Sequence, residues 1–366
     1  MSSKYIVGFG EVMLRLCPRE FMRLKQVLPG ALEATFGGGE ANVCASLAIF
    51  GEKSRYATAL PDNPVSESFA AQMKSLGVGV DKIYYKKSGR MGIYFVETGA
   101  NQRASNVVYD REGSVISQTG PEEYDYEGIL RDAKWLHLSG ITPALSEKAY
   151  LATLEFAAQA VKRGVPVSVD INFRKKLWNW GKGSTSKELA GKCMSEITAL
   201  ATLIIGNEED AADVFGIHSS KSSAEKGVID YSDYKEVAIK LASKFPKAKY
   251  IAITLRESLS ATHNKWGAML FDADSGKASY GPLNENGDYS PYDIANIVDR
   301  VGGGDSFAAG LIYGLNNPDL CVPEKALAFA AAASCLKHSI KGDFNYVTKE
   351  EVLALMKGNA SGRVNR

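Results

Sequence analysis

The sequence predicts an α/β fold, a three-layer sandwich with a mostly parallel central sheet between helices, carrying a small β-sheet lid. Three observations predict it. Apolar strand-like runs alternate with helical runs along most of the chain, the rhythm of βαβ units. Two pairs of short extended stretches, Met13–Leu16 with Ala34–Phe36 and Arg90–Glu97 with Ser105–Tyr109, break that rhythm because no helix separates their members. These four stretches make a flap standing off the main body. Twice a run enters three glycines and opens a helix, at Phe36-Gly-Gly-Gly-Glu-Ala-Asn42 and at Ile297-Val-Asp-Arg-Val-Gly-Gly-Gly-Asp305.

The elements follow in order. Tyr5 to Gly10 reads as a buried strand; a dinucleotide fingerprint would need a third glycine at position 13, which is Met13. The helix from Ala41 to Phe50 is apolar over most of its circumference and stops at Gly51. Strands Tyr56–Ala59 and Lys82–Tyr85 flank a helix from Val65 to Leu76. After the flap come strand Trp135–Leu138, helix Glu147–Lys162, strand Val167–Asp170, helix Ser186–Ile197, strand Leu203–Ile205 and helix Glu208–Phe215. Residues His218 to Ser232 look like a linker. Three short strands are expected at Ile251–Thr254, Ser260–His263 and Ala268–Asp272, and helices at Phe307–Leu315, Glu324–Lys337 and Lys349–Met356. The tail 359–366, rich in Gly, Ser, Asn and Arg, is expected to fray.

Composition excludes several function classes. The 366 residues are 45% hydrophobic and 23% charged, with 43 basic residues against 42 acidic and a net charge of +1. Such a balance gives no electrostatic footprint for nucleic acid or an anionic membrane, and no run approaches a membrane span. Five cysteines, never spaced Cys-x-x-Cys, suggest neither a disulfide framework nor a zinc site and read as small buried hydrophobes. His137, His218, His263 and His338 lack metal-ligand spacing and read as structural. With no signal-like N-terminus, the expected location is cytoplasmic.

The glycines Gly302, Gly303 and Gly304 let backbone N–H groups approach a ligand, and the following helix turns its positive end toward them. An oxyanion or phosphate suits that place, whereas Asp305 repels one. The tension disappears if a substrate hydroxyl stands between Asp305 and a transferring phosphoryl group, with Asp305 taking the proton and the amides taking the developing charge. The plainer alternative is a tight turn with Asp305 as a helix cap. Gly38, Gly39 and Asn42 admit a similar pair of readings, a hydroxylated-ligand site or a closely packed buried helix. No Gly-x-x-x-x-Gly-Lys-Ser/Thr occurs, so any nucleoside triphosphate binds without a P-loop. Asp170-Ile-Asn-Phe-Arg174 ends a strand and faces the ligand crevice of an open α/β sheet, while Lys175, Lys176, Trp178 and Trp180 read as a solvated loop.

Asp299-Arg-Val-Gly-Gly-Gly-Asp305 resembles the Asp-Thr-x-Gly-Ala-Gly-Asp signature of the ribokinase-like, or PfkB, carbohydrate kinases, departing from it at Arg300, Val301 and Gly303. The resemblance runs from about Ile6 to Val347. It implies a ribokinase-like kinase domain over 1–358, with a lid from about 11–36 and 90–112 covering the sugar. Asp305 would be the base, Gly302 to Gly304 the anion hole, and Gly38, Gly39 and Asn42 the acceptor site. ATP and Mg²⁺ would be the cofactors, with a monovalent cation a further candidate. Asn207-Glu-Glu-Asp210 stands where the family has Asn-x-x-Glu, so Asp210 would act on magnesium only from a second layer. Asn172, Asn207, Thr254 and Arg256 fall on the nucleotide side, but the glycine-rich turn the family places after Thr254 is missing.

Within that family, Asp170-x-Asn172-x-Arg174 with Leu177-Trp178, Tyr94, and Tyr109-Asp-Arg111 resemble the branch that phosphorylates 2-keto-3-deoxygluconate. Arg111 and Arg174 would hold the acid end and leave the far hydroxyl at Asp305. Partners would be the sugar acid, ATP and a second copy through the lid, in a homodimer or larger homo-oligomer. Rival readings are a kinase of fructose or ribose, a non-catalytic sugar-acid sensor, and, less in keeping with two arginines, a nucleoside kinase.

Overall fold

The computed structural model describes residues 4–219 and 231–358. Most of the expected linker 218–232, and all of the tail 359–366, lie outside them. The strands in chain order are β1 (Tyr5–Phe9), β2 (Met13–Cys17), β3 (Glu33–Gly37), β4 (Ser54–Pro61), β5 (Ile83–Lys86), β6 (Gly92–Glu97), β7 (Asn106–Asp110), β8 (Ala133–Ser139), β9 (Val167–Asp170), β10 (Leu203–Gly206), β11 (Tyr250–Ser260), β12 (His263–Asp272), β13 (Lys277–Gly281) and β14 (Tyr292–Ile294). Ten of them form the main sheet in the order β13-β12-β11-β10-β9-β8-β1-β4-β5, with β14 on β12. From β5 to β11 every pair is parallel; β12 and its neighbours are antiparallel.

Strand residues alternate between two cores, which is what makes three layers. On β1, Ile6 packs toward one face and Val7 toward the other; on β10, Leu203 and Ile205 share the first core and Ile204 the second. The first core holds helices Gly39–Ile49, Gly303–Asn316 and Pro323–Lys337; the second holds Glu147–Lys162 and Ser186–Thr198. Helix starts carry their own caps: Ser146 accepts from Ala149 N at 3.1 Å, and Thr185 with Glu188 and Thr348 with Glu351 form capping boxes.

The lid is a separate four-stranded sheet, β3-β2-β6-β7, in which β2 and β6 run parallel. The expected ribokinase-like sandwich with a β lid is therefore present. The C-terminal side differs in one respect. Instead of three short strands, β11 runs without a break to Ser260 and turns back at once into β12, making a long antiparallel hairpin. Glu257, Ser258 and Leu259 are exposed, so no buried stripe marks that extension in the sequence. The tryptophans of the expected solvated loop also differ. Trp178 is buried in the core and Trp180 donates to Pro143 O at 3.2 Å, leaving only Lys175 and Lys176 in solvent. Of the cysteines, Cys17, Cys44 and Cys193 are buried as expected, whereas Cys321 is exposed.

Candidate active site

A cavity of about 560 Å³ opens between the lid and the carboxyl ends of the central strands. The residues predicted for the base, the anion hole, the acceptor and the nucleotide all line it. Gly38, Gly39 and Asn42 form one wall at a helix start; Tyr94, Tyr109 and Arg111 reach in from the lid. Asn172, Arg174, Asn207 and Asp210 come from the β9 and β10 ends, Thr254 and Arg256 from β11, and Gly302 to Asp305 from the second glycine-rich helix start.

Gly302 is the cap of helix Gly303–Asn316 and has φ +84°, the left-handed region, where a side chain would also meet the Asp343 carbonyl. Gly303 and Gly304 line the cavity at this bend, and the first N–H groups of a helix have no acceptor within it; Gly303 N donates back to Arg300 O at 3.4 Å. Gly38 serves the opposite wall by close approach, since a Cβ there would strike Glu11 O.

Asp305 stands between the two walls. Its Oδ2 accepts from Asn42 Nδ2 at 2.6 Å, and a Cβ on Gly39 would lie 3.6 Å from its Oδ1. Burial pushes the Asp305 carboxyl up to about 6; the Asn42 hydrogen bond holds it down, Asp343 adds to the rise, and Arg174 and Lys337 oppose it. A carboxylate with that affinity, beside a helix start, is poised to take a proton near neutral pH.

Several predicted ligand groups are already engaged. Tyr94 Oη donates to the Asp343 carboxylate, 2.6 Å from both oxygens. Arg111 Nε donates to Glu11 Oε2 at 2.8 Å and its Nη2 contacts the same oxygen, with both residues buried. Asp210 Oδ1 accepts from Phe173 N at 2.9 Å and Oδ2 from Asn207 N at 3.1 Å, tying the β9 loop to the start of helix Glu208–Phe215. Arg300, one of the departures from the signature, donates through Nη2 to Ser260 O at 3.1 Å and Ala261 O at 2.6 Å. Arg174, by contrast, makes no ion pair within 4 Å among the described residues. Asn172 holds φ +37°, which asparagine tolerates better than most residues, and so turns the chain between Asp170 and Arg174.

Residues the sequence did not flag complete the site. Glu11 lies between β1 and β2, and Arg15 sits in β2, where it bridges Asp299 at 2.5 Å and Asp343 at 2.7 Å. Glu40 is buried beneath the cavity, accepting from Ser139 N at 3.0 Å and Ser139 Oγ at 2.7 Å, and burial pushes its carboxyl up to about 7. His338, expected to be structural, donates from Nδ1 to Ser334 O at 2.7 Å and lines the cavity beside Trp266. None of these has a local sequence signal, because every partner is distant in the chain or a backbone atom.

No cluster of three or more His, Cys, Asp or Glu able to hold a metal occurs among the described residues. Magnesium needs less, since it is commonly held by one or two carboxylates together with substrate phosphates. Asp170 fits that part. It lines the cavity, and burial together with the Asp210 and Asp305 charges raises its carboxyl well above the usual carboxylate range, a repulsion that a divalent cation would relieve. No helix among the described residues is long and apolar enough to cross a membrane.

Residues 3–346 match the family model for pfkB family carbohydrate kinases. The crystal structure of 2-dehydro-3-deoxygluconokinase from Thermotoga maritima is 40% identical, with a TM-score of 0.86 over 97% of this chain and 100% of that one. A 2-dehydro-3-deoxygalactonokinase of Haloferax volcanii is 28% identical over 98% of both chains. Fructokinase-2 of Solanum habrochaites is 25% identical over 98% of both.

Proposed function

This chain belongs to the pfkB family of carbohydrate kinases, and from that premise we propose that it transfers the γ-phosphoryl group of ATP to a sugar acid. The first candidate acceptor is 2-keto-3-deoxygluconate, giving the 6-phosphate. The observation that carries the reading is the placement of Asp305 between the Gly39–Asn42 wall and the Gly302–Gly304 helix start. An acceptor hydroxyl lodged there has a base on one side and an anion-binding backbone on the other.

Asp305 takes the proton of the hydroxyl as its oxygen forms a bond to the γ-phosphorus. The bond from that phosphorus to the bridging oxygen of ADP breaks, and ADP departs with the electron pair. The helix-start N–H groups stabilise the charge on the transferring oxygens, and Asn42 keeps the carboxylate pointed at the hydroxyl. Mg²⁺, held by Asp170 with the nucleotide phosphates, would neutralise charge on those phosphates. Arg174, which makes no ion pair within 4 Å among the described residues, supplies a cation for the acid end of the acceptor, supported by the names of the Thermotoga and Haloferax proteins. The apolar residues Phe21, Met22, Leu28 and Val108, exposed on and around the lid, support association of two copies there, which sedimentation would test.

A neutral-sugar acceptor is the second reading. It is favoured by the Glu11–Arg111 pair, which neutralises one of the two arginines within the protein, and by the likeness to a fructokinase. The test is ADP release with Mg-ATP across 2-keto-3-deoxygluconate, its galactonate epimer, gluconate, fructose and ribose, with Asp305→Asn as control. Turnover on the keto-deoxy acids that collapses in the variant is expected. Turnover confined to fructose or ribose would overturn the acid reading and keep the kinase.

A further inference from the structure

Two departures from the family signature, Arg300 and the missing glycines after Thr254, meet in space. Where the family pattern has a glycine-rich turn, β11 continues to Ser260, and the tip of the hairpin lies at Ala261 and Thr262. On one side the tip is held by the segment leading into the anion loop. Arg300 Nη2 donates to Ser260 O and Ala261 O, and Ile297 N donates to Thr262 O at 2.9 Å. On the other side Ala261 N donates to Asn101 O at 2.7 Å. Asn101 is in the turn between lid strands β6 and β7, a turn closed by two backbone bonds of 2.9 Å between Ala100 and Arg103. An unbroken path thus runs from the lid turn through the hairpin tip to Arg300, two residues before Gly302.

We propose that Arg300 is a positioning residue that straps the lid turn at Asn101 to the Gly302–Gly304 loop by way of the β11–β12 hairpin. The proposal rests on the reading of the cavity as a kinase site. The lid stands over the acceptor and the glycine loop over the donor phosphates, so a strap between them lets each ligand sense the other. A planar guanidinium reaches two successive carbonyls at once; a lysine ammonium holds the charge but not that fork. A donor loop displaced by about 1 Å is enough to cost roughly a hundredfold in rate. By linkage, whatever factor the acceptor contributes to ATP affinity, ATP returns to the acceptor.

The test uses Arg300→Ala and Arg300→Lys in the full chain, with two readouts. Hydrogen exchange on the protein without ligands should rise at residues 99–103 and 259–262 in Arg300→Ala and rise less in Arg300→Lys. Unchanged exchange at 99–103 overturns the strap, whatever the protein phosphorylates. In steady-state kinetics, saturating acceptor should lower the KM for ATP in the parent protein by a factor that falls toward one in Arg300→Ala, with kcat down about tenfold and partial recovery in Arg300→Lys. Loss of rate with that factor unchanged overturns the coupling. A parent protein inactive on every acceptor, with the exchange result intact, refutes the kinase reading and leaves the strap standing.

Discussion

Asn42 Nδ2 lies 2.6 Å from Asp305 Oδ2, joining the Gly38–Asn42 wall to the carboxylate proposed as the base. The bond favours the charged carboxylate, so Asn42→Ala should raise the Asp305 pKa above about 6. In the parent protein kcat/KM should fall about tenfold per pH unit below that value, because only the deprotonated carboxylate accepts a proton. The variant should show the same limb displaced to higher pH. A pH profile of kcat/KM checks both.

Removing the base should stabilise the fold while stopping the chemistry. Because the folded pKa of Asp305 is raised to about 6, the native state holds the proton more tightly than the unfolded chain. The associated stability is complete below pH ~4, the unfolded carboxylate value, and is lost as pH rises through about 6. Asp305→Asn should therefore melt above the parent at pH 8, by up to about 3 kcal/mol in stability, and match it at pH 4. Its kcat should drop by roughly two to four orders of magnitude.

The two arginines should behave differently. Arg111→Ala leaves Glu11 buried and unpaired and should cost about 3–5 kcal/mol in chemical denaturation. Arg174→Ala breaks no ion pair among the described residues and should leave stability nearly unchanged. Its acceptor KM should rise about 10- to 100-fold for an acid, the loss of one charge-assisted contact, and little for a neutral sugar.

Tyr94→Phe should be a stability variant more than a binding variant. The hydroxyl is directed at Asp343, so its loss should cost about 1–3 kcal/mol. The acceptor KM should stay within a few-fold, as substrate titrations on the purified variant would show.

The alternation of strands and helices was legible because runs such as Leu203-Ile-Ile205 and Val167-Ser-Val169 have to be buried on both faces of a sheet. The cavity residues were legible for a related reason, since Gly38, Asn172 and Gly302 stand at helix starts or strand ends, where side chains and amides converge. The hairpin was not, because Glu257 to Leu259 carry no buried alternation. Nor were the pairings of Glu11 with Arg111 and of Arg15 with Asp299 and Asp343, whose partners lie 100, 284 and 328 positions apart. Periodicity reports on a residue's own element and is silent about contacts of that range. Trp178 was misread from its neighbours, since two lysines made a core side chain look solvated.

Arg15 belongs to the lid, but both acids that neutralise it come from the last fifth of the sequence. A lid transplanted from a relative without a matching cation would leave Asp299 and Asp343 buried without their ion-pair partner. Swapping specificity between such enzymes by exchanging the flap alone would then disturb the Gly302–Gly304 loop as well. The lid and the C-terminal loops would have to be engineered as one piece.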